Sequence, residues 1–247
     1  MALIPVAVLN QSTAVTDTEV KNLISALQTQ VSRDLAPAWN IDATLSFVAA
    51  GQQAPAGSYR LFLLDKTNQG RDTGYHTADA DGPFAKVFVV SANTEGQQWT
   101  AVASHELLEM LVNPHGNRAA FVVANDTGLT NASTASGVSG TYYDLEVCDP
   151  VYPDENNYQI NGVYVSDFVF PLWFAPWLVP SGQSSAKVDY ANKLQWPGDL
   201  APGALLAASF TGRYNINGPT PAAAVAQTRT PSAFVAARAA TQKSSDA

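Results

Sequence analysis

The sequence predicts an α+β fold, α/β-like in its N-terminal half, and three observations carry that expectation. Short β-branched runs alternate with two long stretches of helical spacing. The order reads strand, helix, strand, strand, strand, helix, which suits a mixed sheet. A β-rich second half follows, punctuated by Gly, Asn and Pro.

The elements follow in order. Residues 3–9 (LIPVAVL) form a buried strand. Thr16 and Glu19 stand three apart as a capping box, which starts a helix. Val20, Leu23, Ile24, Leu27, Val31 and Leu35 continue it at helical spacing, and Pro37 closes it. Residues 43–49 and 60–65 are strands. Residues 66–83 are rich in Gly, Asp, Asn and Thr and read as a loop, within which Asp79, Asp81 and Gly82 make a turn. Residues 85–91 make a fourth strand, and a helix runs from about Gln97 to Val112, ended by Pro114 and Gly116. Residues 126–140 read as a loop, 141–148 and 158–170 as strands, and 204–212 as another. Residues 1–218 are expected to be one metal-binding domain. Residues 219–247, dominated by Ala, Pro and Thr, are expected to be a tail, with a short Ala-rich helix near 232–240, through which a partner could dock.

Composition narrows the function. With 247 residues the chain can bury a full core. A net charge of -8 and no Lys/Arg cluster argue against nucleic acid as a partner. Val163–Val179 is apolar, but Asp167, Pro171 and Pro176 interrupt it, so no membrane span is expected. One cysteine, Cys148, excludes an intrachain disulfide. The N-terminal stretch has no basic n-region, so no signal peptide is expected and the cytoplasm is the default compartment.

The helix after the fourth strand carries the chemistry. An α-helix advances about 100° per residue, so His105, Glu109, Asn113 and Glu106 share one stripe roughly 100° wide. Ala, Leu, Met and Val cover the rest, as on a buried helix. Burying two carboxylates and an imidazole costs several kcal/mol unless they are paired or hold a metal. Positions i and i+4 point the same way, so His105 and Glu109 can grip one divalent ion, with zinc the first choice and manganese or calcium alternatives. Glu106, offset around the helix, is placed to act as general base.

The run Ser-His-Glu-Leu-Leu-Glu (104–109), after the strands and helix before it, resembles the zincin metallopeptidases, with Glu109 where their His-Glu-x-x-His motif has its second histidine. The likeness implies a zinc-dependent peptidase or hydrolase acting on a peptide or protein. It also implies a third ligand downstream, for which Glu146 is preferred and Asp149 and Asp167 are alternatives. It implies further that an edge strand, here residues 85–91, binds substrate by strand addition. The runs 146–150 (EVCDP) and 161–168 (NGVYVSDF), with the helix, are also similar to a bacterial family of unassigned function, and more loosely to exordium-like plant proteins. His76 and Tyr75 are expected to touch substrate, and His115 to cap the helix. Cys148 lies among acidic neighbours, which disfavour a nucleophilic thiolate. The alternative reading is an inactive metal-binding or assembly protein on the same scaffold.

Overall fold

A computed structural model describes residues 3–67, 72–123, 138–152, 154–175, 178–179, 183, 185–202, 204 and 208–214, with only the backbone of 121–123, 138–142 and 208–214. The fold is α+β, with helices on a five-stranded mixed sheet. Strand β1 (Ile4–Asn10) lies between β2 (Ala43–Val48) and β3 (Tyr59–Leu64), parallel to both. Strand β5 (Gly82–Phe88) extends the parallel set beside β3. Strand β4 (Gly74–Asp79) completes the order β2-β1-β3-β5-β4 as an antiparallel edge.

Two helices cover one face of this sheet. Helix α1 (Asp17–Thr29) begins with the expected capping box: Thr16 Oγ1 accepts the Glu19 N–H, and Glu19 accepts the Thr16 N–H at 2.7 Å. The chain does not leave the helix at Pro37. A π-turn over Gln30–Leu35 leads into α2 (Ala36–Trp39), where Pro37 sits in the first turn of the new segment. Asn40, left-handed at φ 55°, ends the run instead.

Residues 66–83 hold a strand that the loop expectation overlooked. Polar, Gly-containing β4 forms because a tight turn returns it along β5 in register, Asp79 opposite Gly82 and Gly74 opposite Val87. Asp79 accepts the Asp81 N–H and pairs with Arg60, which pins that turn. The strand expected at 85–91 therefore begins and ends earlier and is internal, so β4 replaces it as the sheet edge. Val89–Thr94 is helical (α3), and α4 (Trp99–Val112) follows.

The core lies between the sheet and the helices. Val6, Val8, Leu61, Leu63, Ala85 and Val87 point from the sheet into one cluster with Leu23 and Leu27 of α1 and Leu107, Leu108 and Leu111 of α4. On the opposite face Ala7, Leu9 and Val48 form a small separate cluster, with Ala54 and Phe62 packed against it. Helix α4 is buried from Ala101 to Val112, as its nearly continuous apolar surface predicts.

The second half supplies a three-stranded antiparallel sheet, order β10-β7-β6, from β6 (Ala119–Val123), β7 (Val138–Asp144) and β10 (Ala208–Tyr214). A small hairpin pairs β8 (Tyr158–Ile160) with β9 (Val163–Val165) across Asn161-Gly162, both at positive φ as a two-residue turn requires. The strand expected over 158–170 is therefore a hairpin, and Asp167 lies beyond it. Residues 145–148 are not a strand; they pass α4 as an irregular segment, bent at Val147 and Cys148, before a 3-10 turn at Asp149–Val151. The tail at 219–247, its expected helix at 232–240 and most of the loop at 126–140 lie outside the described residues. Among the described residues no helix is long and apolar enough to cross a membrane.

Candidate metal centre

Three segments converge on the buried stripe of α4. The helix presents His105, Glu106 and Glu109. Strand β4 presents His76, which pairs across the ladder with fully buried Ala85 and so shares its helix-side face. The 145–149 segment presents Glu146, Cys148 and Asp149, all buried.

Local devices hold each segment in place. Cys148 N–H donates to Glu109 Oε1 at 3.2 Å, and Val169 N–H donates to the Val147 carbonyl at 2.8 Å. Asn113 ends α4 and works in both directions. Its Oδ1 accepts the N–H groups of Asn117 and Arg118, and its Nδ2 donates to Glu146 Oε1 at 3.3 Å. Gly74 lets β4 press against α4: a Cβ there would meet Glu106 Oε1 at 2.7 Å and Val102 Cγ1 at 2.8 Å.

The distances within the cluster share one character. His105 Nε2 lies 3.2 Å from Glu109 Oε2 and 3.4 Å from Asp149 Oδ1. His76 Nδ1 lies 3.5 Å from Glu106 Oε2 and 3.7 Å from Glu109 Oε2. His76 Nε2 lies 3.5 Å from Glu146 Oε2 and makes no hydrogen bond, although the side chain is only 6% exposed. Charge-assisted hydrogen bonds run at about 2.7–2.9 Å, so these contacts are long for that purpose. Donors about 2.0–2.2 Å from a shared tetrahedral ion stand roughly 3.3–3.6 Å apart, which is the spacing found. Two sets of three donors lie within 4.8 Å of one another: His105, Glu109 and Cys148, and His76, Glu109 and Glu146.

Electrostatics follow from burial against clustering. Burial pushes His76 down, but Glu146, Glu106 and Glu109 outweigh it and hold the imidazole up at about 9. Burial likewise opposes the charge on His105, and Glu109, Cys148 and Asp149 raise it well above the ordinary range. Burial raises Glu106, with His76 and His105 opposing. Burial acts on Glu109 too, yet the two imidazoles win and it is lowered. Burial raises the Cys148 thiol well above its usual value, so it is no free nucleophile.

The structure brings together His105, Glu106, Glu109, Glu146, Asp149 and His76. Asp149 faces His105, whereas Glu146 faces His76. Asp167 is elsewhere: its Oδ1 accepts the N–H groups of Phe168 and Ala191, and it lies beside Asp189. Tyr75 points to the opposite face of β4 and packs on Phe84 and Phe88. His115 is exposed beyond the helix end. Two participants escaped the sequence reading. Cys148 stands among the candidate donors, and Tyr152 lies edge-on to His105 with ring centres 6.2 Å apart. The one available signal was Cys148 standing between Glu146 and Asp149, a run of three metal-binding residue types.

Compared with known proteins, the chain matches no family model, no curated protein and no solved structure.

Proposed function

We propose that the protein is a divalent-metal-dependent hydrolase, with peptide bonds as its substrate class and zinc as the ion its donors suit best. The observation that carries this reading is the convergence of imidazole and carboxylate donors at 3.2–3.7 Å on a buried helix. Imidazole nitrogen, carboxylate oxygen and thiolate sulfur are all zinc donors. His105 and Glu109 would hold the ion, with Asp149 the nearest acid to His105 and Glu146 the acid that Asn113 steers.

A bound ion would supply Lewis-acid polarisation of a carbonyl and a water of lowered pKa. Glu106 would take the proton from that water: it is one residue round the helix from the donors, and burial lifts it toward the range where a carboxylate is an effective base. Among the described residues, no other strand of the sheet lies along the outer edge of β4. An extended peptide adding there would run past His76 and Glu106, with backbone hydrogen bonds supplying affinity.

Elemental analysis of purified protein beside His105→Ala tests the metal. Zinc bound by the wild type and reduced in the variant is the expected result, and no metal after zinc is supplied would overturn the proposal. A peptide library then tests the reaction, with Glu106→Gln expected to keep its metal and lose turnover. One observation favours a second reading, an inactive metal-binding scaffold: the cluster offers enough protein donors to close the coordination shell, as structural sites do. Metal-loaded protein that cleaves no peptide while melting lower after chelation would select that reading.

A further inference from the structure

We propose that this centre holds two divalent ions, with Glu109 as the bridge between them. The inference rests on the metal-dependent reading above and commits further, to the number of ions and the donors of each.

The two imidazoles fall in different donor sets. His105 groups with Glu109 and Cys148, and His76 groups with Glu109 and Glu146. Glu109 is common to both, and one of its oxygens, Oε2, faces both rings, 3.2 Å from His105 Nε2 and 3.7 Å from His76 Nδ1. Its other oxygen is held by the Cys148 N–H, so the carboxylate is turned with Oε2 between the two positions. Asp149 Oδ1 extends the first set, at 3.4 Å from His105 Nε2. Glu106 Oε2, 3.5 Å from His76 Nδ1, faces the ring nitrogen away from Glu146 and would orient the imidazole without binding the ion.

Two further observations point to a ligand beyond His105. His76 Nε2 is buried without a hydrogen bond and is aimed at Glu146, a costly arrangement for an imidazole unless it is a donor to something. The charges also count toward a pair of ions. Glu106, Glu109, Glu146 and Asp149 bring four negative charges, and His76 and His105, even both protonated, leave these six side chains at a net -2. Two divalent cations with neutral imidazoles offset those four carboxylates, and leave a net -1 where Cys148 binds as thiolate. Carboxylate-bridged ion pairs stand about 3.5–4 Å apart, a separation that one shared carboxylate oxygen can span.

The test uses the full chain and zinc or manganese alone as probes. Elemental analysis after saturation with zinc and gel filtration should give two ions per chain, falling to one in His76→Ala and to one in His105→Ala. Manganese-loaded wild type should show the spin-coupled resonance of a bridged pair, and His76→Ala should show the hyperfine pattern of isolated manganese. The wild-type stoichiometry and coupling need no variant, so a misfolded variant does not blunt the test. One zinc per chain would overturn the two-ion centre and leave the metal-dependent reading standing, whereas none would overturn both. Two ions that His76→Ala retains would remove His76 from the centre. Two ions with an uncoupled manganese spectrum would remove the Glu109 bridge.

Discussion

Ser104 and His105 are neighbours on α4, both buried, and they lead into two polar clusters of opposite character. On the Ser104 side every contact is a hydrogen bond of ordinary length. Ser104 Oγ donates to Gln30 Oε1 at 2.7 Å and accepts the Ser166 N–H at 2.9 Å. Gln30 Nε2 donates to the Ser166 carbonyl and the Tyr158 hydroxyl, which donates to Asp34, itself held by Arg33 at the surface. That network is complete within the protein. On the His105 side the contacts stretch to 3.2–3.7 Å and one imidazole nitrogen has no hydrogen bond. Buried polar groups ordinarily close on one another in satisfied hydrogen bonds, and the His105 side departs from that pattern.

The largest expected effect exploits that difference. Zinc at a thousandfold excess over Kd should raise stability by about 4 kcal/mol, through binding the folded state alone. Calorimetry with and without chelator measures it, and an unmoved melting temperature would make the two clusters alike. Ser104→Ala should do the reverse. It leaves Gln30 Oε1 short of its donor and the Ser166 N–H without its acceptor, at a cost of about 1–3 kcal/mol in urea unfolding, with metal content unchanged. Gly74→Ala probes where β4 meets the centre. Its Cβ would strike Glu106 Oε1 and Cγ and the Cγ1 of β-branched Val102, all buried and under 3 Å away, so the stability cost should be about 1–3 kcal/mol, the usual range for overpacking. Metal affinity should fall as Glu106 is pushed aside, measured by chelator competition.

A separate, pH-dependent effect concerns a group outside both clusters. Burial first, and then Asp189, push Asp167 up from 3.8 to about 8. Between those values the folded protein binds a proton that the unfolded chain lacks, so stability falls as pH rises through that window. Melting temperatures at pH 5 and pH 8 should therefore differ more in the wild type than in Asp167→Asn. An equal difference would show that Asp167 titrates normally.

How much of this was legible depends on whether the signal is local. The α4 stripe was legible because helical spacing alone puts His105, Glu106 and Glu109 on one face. Glu146 and Asp149 were recognisable as acids in an apolar run, but which imidazole each faces depends on the path of residues 145–149 past the helix. Strand β4 was not legible, because Gly74, Ala78 and Asp79 carry little β-propensity and the strand exists by pairing with β5. With it went the role of His76, which looked like a substrate contact on a loop.

By itself, then, the sequence determined the class of fold, the capped first helix, and a buried helix that needs a partner for its charges. Each follows from periodicity or from side chains a few residues apart. The tertiary structure alone decided that His76 stands opposite Glu146, that Glu109 faces two imidazoles, and that Asp167 stands apart. Those facts depend on strand register and on the crossing of segments distant in the chain, which no local spacing encodes.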